Sequence, residues 1–256
     1  MDELFQHTLN VLESAFRTLE RQVPKPIKIL LSDSFVFRYK EQTMHQALIQ
    51  KLVRVVSGLH AAKCLLERGF VQEQGILQRM LDECGEDILF LVYGLTNDKI
   101  TELHKEYLSF FYEEEFDIPE SPIKSSQKRG MIPRNKIRAY IAHIEGSNLS
   151  PSNGVELSRT ISKAYSGYVH GASPHIMEMY DGILPGFHIS GMLGTPRIKV
   201  SRKDLWSHYY RGILSFILVA KAFGDEELLK SLSNYKDEFE NKSGTNYGKL
   251  AKKPNK

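Results

Sequence analysis

Two adjacent stretches of the chain carry apolar residues at alternating steps of three and four, and this pattern constrains the fold most strongly. The first stretch spans about 41–68, the second spans about 71–95, and Gly69 separates them. The repeated apolar positions are Leu48, Leu52, Val55, Leu59, Ala62 and Leu66, and then Leu77, Leu81, Cys84, Ile88, Leu91 and Leu95. Such spacing places apolar side chains on one face of a helix. Two long helices joined by a short turn predict an antiparallel pair, the basic unit of a helical bundle.

Similar periodicity continues along the rest of the chain. It predicts further helices at about 2–22, 97–116, 134–145, 155–170, 201–223 and 225–241. We therefore predict an all-α protein, a multi-helix bundle of about eight helices that forms one domain over residues 1–241. The Ser/Pro/Lys-rich stretch 119–130 reads as a connector, and 171–200 reads as a long irregular loop rich in glycine and proline. The polar, lysine-rich residues 242–256 predict a disordered basic tail.

Short stretches of β-forming residues are few. Ile27–Leu31 has no evident partner strand, so we predict an extended or irregular segment there. Inside the Gly/Pro-rich loop, Phe187–Ile189 and Ile198–Val200 are spaced to pair as a small hairpin.

Charge is distributed unevenly, although its sum is small. The formal net charge of +3 does not make the whole molecule a polyanion binder. Residues 111–120 hold five acids and no bases, whereas residues 121–144 hold six bases and no acids. The basic run has the charge expected of a contact to an RNA backbone, with Tyr140 as a stacking ring. Alternatively, it neutralises the acidic run beside it.

Several classes of protein and of site have no signature in the sequence. The longest apolar patches are far shorter than the ~20 residues of a membrane span, and the N-terminus does not resemble a targeting signal. Cys64 and Cys84 both fall in helical apolar patterns, which is typical of reduced core thiols. The Glu-x-x-His pairs of di-iron bundles are missing. We therefore predict a cytoplasmic protein without a membrane segment, metal or cofactor.

The predicted helix that ends at His170 carries the clearest candidate site. Arg159, Lys163, Ser166 and His170 recur at steps of four, three and four, which forms a polar stripe. The negative end of the helix dipole favours a protonated imidazole, and a histidine near neutral pKa can exchange protons. The long loop that follows is of a kind that often carries function. The alternative is a solvated helix face that ends in a capping histidine.

A second candidate site lies on the predicted helix at 71–95. Arg79 and Glu83 form an i,i+4 pair, and the acids Asp82, Glu86 and Asp87 surround them. Because the neighbouring positions are apolar, part of this charge must be sheltered, and sheltered charges persist when they are paired. The pair is either a structural ion pair or part of a catalytic or metal-binding group.

The segments LQRMLDECGEDILFLVYG at 77–94 and YSGYVHG at 165–171 resemble the HEPN-type helical superfamily, named for a nucleotide-binding domain of higher eukaryotes and prokaryotes. The resemblance is to bacterial branches in which an Arg-x-x-x-Glu helix precedes a helix end of the form Tyr-Ser-x-x-x-His. The matching residues are Arg79, Glu83, Tyr165, Ser166 and His170. The resemblance implies an all-α bundle that is often a homodimer. It also implies a protein of the toxin or antiphage defence type, and many members are metal-independent ribonucleases with an Arg-x4–6-His motif.

Four pairs in this chain have the spacing of that motif: Arg38/His45, Arg54/His60, Arg138/His143 and Arg202/His208. Arg138/His143 is the best placed, because it lies in the basic run. In such an enzyme a histidine acts as general base or acid for attack by a ribose 2′-hydroxyl, and an arginine stabilises the phosphorane. We predict that the helix of Arg79 and the segment that ends at His170 lie side by side. The alternative function is a non-catalytic interaction module that binds a protein partner through the loop at 171–200.

Overall fold

The structure is a bundle of α-helices with one small β-hairpin. It is a computed structural model that describes residues 1–31, 34–118, 121–127, 129–145, 165–181 and 186–245. The helices are α1 (Asp2–Glu20), α2 (Met44–Glu67), α3 (Val71–Thr96), α4 (Glu102–Tyr112), α5 (Arg134–Glu145), α6 (165–169), α7 (Ser173–Ile176), α8 (Arg197–Ala222) and α9 (Glu226–Ser243). The strands are β1 (Ile27–Leu30) and β2 (Phe35–Arg38). The prediction of an all-α bundle is confirmed, with the hairpin as its one addition in the described residues.

The core forms where α2, α3 and α8 pack against one another, with α1 and α9 against α8 and α5 against α3. The apolar repeats of α2 and α3 supply this core: Leu48, Leu52, Leu59 and Ile88 are fully buried. Thr43 and Gln46 form a reciprocal capping box that starts α2. At the other end of α2, Gly69 adopts a positive φ of 79°, which turns the chain directly into α3.

The segment Ile27–Leu31 was predicted to be extended or irregular, without a partner strand, but the structure gives it one. Its first four residues pair antiparallel with β2, in a register that sets Ile27 opposite Arg38 and Leu30 opposite Phe35. The partner strand β2 is not evident from the sequence, because it is only four residues long and only four residues separate it from β1. The guanidinium of Arg38 forms an ion pair with Glu114 just beyond α4, which links the hairpin to the bundle.

The prediction of a hairpin between Phe187–Ile189 and Ile198–Val200 is wrong. Residues Ile198–Val200 belong to the first turn of α8, and Phe187 instead forms an isolated bridge with Tyr180. The tail begins later than predicted, because α9 continues to Ser243; residues 246–256 lie outside the described part. Of the two cysteines, Cys84 is buried, but Cys64 is exposed on the flank of α2.

The acids of α3 are partly buried, as predicted, and α5 supplies their partners. The guanidinium of Arg134 forms ion pairs with Asp87 and, at 2.6 Å, with Glu86. It also donates a hydrogen bond to the carbonyl oxygen of Glu83 at 3.0 Å. The ammonium of Lys51 on α2 reaches the second carboxylate oxygen of Asp87 at 2.7 Å. Three helices are therefore joined by one sheltered ionic network.

His104 joins α4 to α3 and is fully buried. Its Nδ1 accepts a hydrogen bond from the backbone N–H of Thr101 at 3.1 Å, and its Nε2 lies 3.1 Å from the carbonyl oxygen of Phe90. The ring stacks on Phe90 with centroids 4.0 Å apart. Because Nδ1 accepts a hydrogen bond, the neutral tautomer with hydrogen on Nε2 satisfies both contacts. Burial disfavours the charged imidazolium and so lowers the pKa of His104.

Candidate functional site

The helix of Arg79 and the segment that ends at His170 are neighbours in the structure. A Cβ atom built on Gly75 of α3 would lie 2.8 Å from the ring of Tyr168 in α6, so this ring packs directly against the backbone of α3. Tyr165 faces α8, where its ring centroid lies 5.9 Å from that of His208. The predicted contact between these segments is therefore present at α6, whereas Arg159 and Lys163 lie outside the described residues.

The charged groups of the predicted site do not converge. His170 is exposed, and within the described part of the chain its imidazole forms no hydrogen bond or ion pair. Its backbone N–H bonds to the carbonyl oxygen of Ser166 at 3.1 Å, and Ser166 is half-buried. Arg79 and Glu83 form the predicted i,i+4 ion pair on α3, with 3.2 Å between Nε and Oε1. Their catalytic roles stay predictions.

Arg138 and His143 lie in different environments, one in the interior and the other at the surface. Arg138 is buried, and its Nε donates to Glu86 at 2.8 Å, so its guanidinium is already matched by a carboxylate. His143 is exposed on the last turn of α5. An arginine committed to a buried carboxylate is poorly disposed to hold a phosphate as well.

A compact group of titratable side chains lies between α3, α6 and α8. Asp82 forms an ion pair with Arg211, and Nε2 of His208 lies 3.4 Å from the same carboxylate. Burial opposes ionisation of Asp82, but the hydrogen bonds and charges of His208 and Arg211 lower its pKa overall. Burial raises the pKa of Tyr165 and of Asp204. Because His208 is almost fully buried, the cluster holds helices together and offers little access to a large substrate.

An open cleft of about 410 Å³ lies beside this cluster, at the end of the bundle where α2 turns into α3. Its walls are mostly apolar and come from the segment after α7 and the start of α8: Met177, Tyr180, Met192, Pro196 and Val200, with Glu178, Asp181, Thr195 and Arg197. The backbone N–H of Met192 donates to the carbonyl oxygen of Gly69 at 2.8 Å, which fixes the cleft to the bundle.

Exposed apolar side chains are concentrated around the cleft. In the described part of 169–200, the large exposed ones are Val169, Ile176, Met177, Tyr180, Phe187, Ile189, Leu193 and Val200. Such a concentration is unusual for an isolated surface and is typical of a binding site. The sequence prediction of 171–200 as a functional loop falls on this region.

The β-hairpin is a second unusual surface, and sequence reasoning missed it. Directly opposite residues of a hairpin share a face, so Lys28 and Leu30 lie on the same side as Phe37 and Phe35. Leu30, Phe35 and Phe37 are 75%, 52% and 55% exposed. The ammonium of Lys28 sits 4.0 Å from the centre of the Phe35 ring. The alternation Phe-x-Phe was the available signal, since on a strand it places two rings on one face.

The hairpin and the cleft lie at opposite ends of α2. Five residues separate β2 from the start of α2, whereas the cleft is held at Gly69, just after its end. With 24 residues at ~1.5 Å each, α2 is about 36 Å long. The two surfaces are therefore spatially separate.

Comparison of the chain with family models, with curated proteins and with solved structures gave no match. Among the described helices, none has the length and apolar character to cross a bilayer. Within the same residues, no three side chains of His, Cys, Asp or Glu are grouped to hold a metal ion. The hairpin, the cleft and the exposed histidines are therefore the features from which a function can be inferred.

Proposed function

We propose that the protein binds single-stranded nucleic acid, with RNA as the ligand class, and that the face of Lys28, Leu30, Phe35 and Phe37 is its stacking platform. The observation that carries the proposal is the pair of exposed phenylalanines two residues apart on one strand. Unpaired bases stack on such rings, because every base has an aromatic face.

The charge around the platform supports the same ligand. Residues 21–40 contain five bases and one acid. Of these bases, Arg38 is paired with Glu114, whereas Arg21, Lys25 and Lys40 form no ion pair within the described residues. Lys28 is held beside Phe35, where it can contact the phosphate next to a stacked base. Stacking with unpaired positive charge is the general mode of sequence-tolerant binding to single strands.

Truncating either ring should weaken RNA binding strongly. With a fluorescein-labelled oligo(U) of about twelve nucleotides, Phe35→Ala and Phe37→Ala should each raise the Kd about tenfold, since one stacked base contributes ~1–3 kcal/mol. Lys28→Gln should lower the slope of log Kd against log salt by about one, the amount expected for one phosphate contact. Fluorescence anisotropy at several salt concentrations measures both effects.

Phe187→Ala is the matched control, because Phe187 is about as exposed but lies near the cleft. Binding should survive in this variant. If the wild type does not bind oligo(U), or if Phe187→Ala weakens binding as much as the hairpin variants, the platform is not the RNA site. Oligo(dT) and duplex RNA, measured in parallel, distinguish a preference for RNA and for single strands.

The resemblance to the HEPN superfamily extends the proposal to a bacterial protein of the toxin or defence type that cleaves the RNA it binds. The exposed imidazoles of His170 and His143 are accessible to a large substrate, which favours a histidine as the proton-transfer group.

Cleavage should survive chelation and depend on histidine. We expect total RNA incubated with the protein and EDTA to be degraded, with the rate about 100-fold lower in His170→Ala or His143→Ala, a typical contribution of general acid–base catalysis. His60→Ala is the control, since His60 pairs with Glu13 on the surface at 2.6 Å. Binding without cleavage would show that the protein binds RNA but is not a ribonuclease. Cleavage at the wild-type rate in both His170→Ala and His143→Ala would show that neither histidine is catalytic.

A further inference from the structure

We infer that the cleft between residues 177–181 and 192–200 docks a polypeptide segment of another protein, and that this segment is apolar and acidic. This inference is independent of RNA binding, because it concerns the opposite end of α2. It begins with the walls of the cleft, which are formed by Met177, Tyr180, Met192 and Val200. Methionine side chains adapt to irregular apolar partners, and they are frequent on surfaces that bind peptides.

Of the two acids that line the cleft, Glu178 is already matched by a cation. A carboxylate oxygen of Glu178 lies 3.2 Å from the guanidinium of Arg197, and the other accepts a hydrogen bond from Tyr168 at 2.9 Å. Burial, with the contact to Glu178 as a second cause, raises the pKa of Tyr168 to about 12, so the phenol stays protonated and keeps donating. Asp181 lies 3.5 Å from the imidazole of His188. Glu178 therefore does not require a positive charge from a partner.

The charge left over at the rim is positive. The exposed side chains of Lys199 and Lys203 are one helical turn apart on α8 and form no ion pair within the described residues. Lys199 follows the cleft-lining Pro196 by three positions, so both lie on the same side of the helix. The first turn of α8 contains no acidic residue, and the positive end of the α8 helix dipole adds to the positive potential of the two lysines. Acidic residues beside apolar anchors complement this surface.

A polypeptide fits this surface better than a nucleic acid. The walls are mostly apolar, and they can bury the apolar side chains of a polypeptide, whereas a nucleic acid presents a continuous line of phosphates that gains nothing from apolar walls. The volume of about 410 Å³ accommodates one or two large apolar side chains, and the exposed apolar residues around it extend the contact. The expected binding mode is a short segment with a few apolar anchors in the cleft.

Peptide selection on the full chain tests the inference. We expect a random library of about twelve-residue peptides to yield sequences that combine large apolar residues with Asp or Glu. A labelled synthetic peptide of the selected sequence should bind Val200→Glu at least about tenfold more weakly, because a charge replaces an apolar wall. Lys199→Glu should weaken binding about threefold in low salt and have no effect in high salt, as a screened rim charge does.

Val53→Glu is the matched control, because Val53 on α2 is 44% exposed and Val200 is 53% exposed. It should bind the peptide like the wild type, and circular dichroism should show both variants folded. Three results would overturn the inference. These are selected peptides without acidic residues, equal loss in both variants, or displacement of the peptide by oligo(U). A dimer in sedimentation that Val200→Glu dissociates would assign the cleft to a second copy of the chain instead.

Discussion

Replacing Arg134 by methionine should lower the free energy of unfolding by about 3–5 kcal/mol, one of the two largest losses we expect from a single change. The substitution removes one of the two cationic partners of Asp87 and one of the two of Glu86, while both carboxylates stay largely buried. Lys51 alone then faces Asp87, and Arg138 alone faces Glu86. The site also loses the hydrogen bonds that one sheltered guanidinium donates to Asp87, Glu86 and the carbonyl oxygen of Glu83, and such bonds to buried charges contribute far more than an exposed ion pair. Urea unfolding followed by circular dichroism measures the change.

Arg17→Met provides the comparison. Arg17 also forms an ion pair, with Glu20 at 2.7 Å, but its side chain is 66% exposed, against 24% for Arg134. Its replacement should change stability by less than about 1 kcal/mol. Equal losses in Arg134→Met and Arg17→Met would show that the network contributes no more than a surface pair.

His104→Ala should lower the free energy of unfolding by about 3 kcal/mol, because it leaves a cavity beside Phe90 and removes the cap on α4. The contacts of the imidazole also make stability depend on pH. The folded pKa lies below the unfolded value of about 6.5, so the neutral ring stabilises the fold fully above that pH. Below it the unfolded chain binds a proton that the folded chain resists, and stability falls as the pH falls.

His104→Gln separates the loss of packing and capping from the pH dependence. Its amide can accept a hydrogen bond from Thr101 and donate one to the carbonyl of Phe90, but it does not titrate. We expect it to lose less stability than His104→Ala. Between about pH 7.5 and pH 5.5 its urea midpoint should fall less than that of the wild type. A wild-type midpoint that falls no more steeply than that of the glutamine variant would show that folding does not lower the pKa of His104.

The long helices were predictable because burial imposes a period on the sequence. The apolar repeats of α2 and α3 placed both helices within about three residues of their observed bounds, and the turn at Gly69 followed from its missing Cβ. The hairpin was not predictable in the same way. Its strands are four residues long, and most of their side chains are exposed on both faces, so no burial pattern marked them.

The candidate site was only partly predictable. Proximity of α3 to α6 and the ion pair of Arg79 with Glu83 follow from spacing and were anticipated. The ion pair of Arg138 with Glu86 was not predictable, because the two residues are 52 positions apart in the sequence. The cleft was not predictable either, since its walls come from two separate stretches of a segment that has no helical periodicity. The roles proposed for His170, His143 and the hairpin remain for experiment to decide.

The sequence by itself determined which stretches are helical and which side of each helix is apolar, because helix periodicity and side-chain polarity are local properties. Tertiary structure alone decided which charges are matched and which apolar side chains stay uncovered. Arg134 and Phe35 illustrate the difference: nothing local to either residue indicates that the first is sheltered by α3 and that the second faces solvent. The physical reason is that burial depends on which distant segment packs against a face, and the free energy of that packing is shared among many contacts.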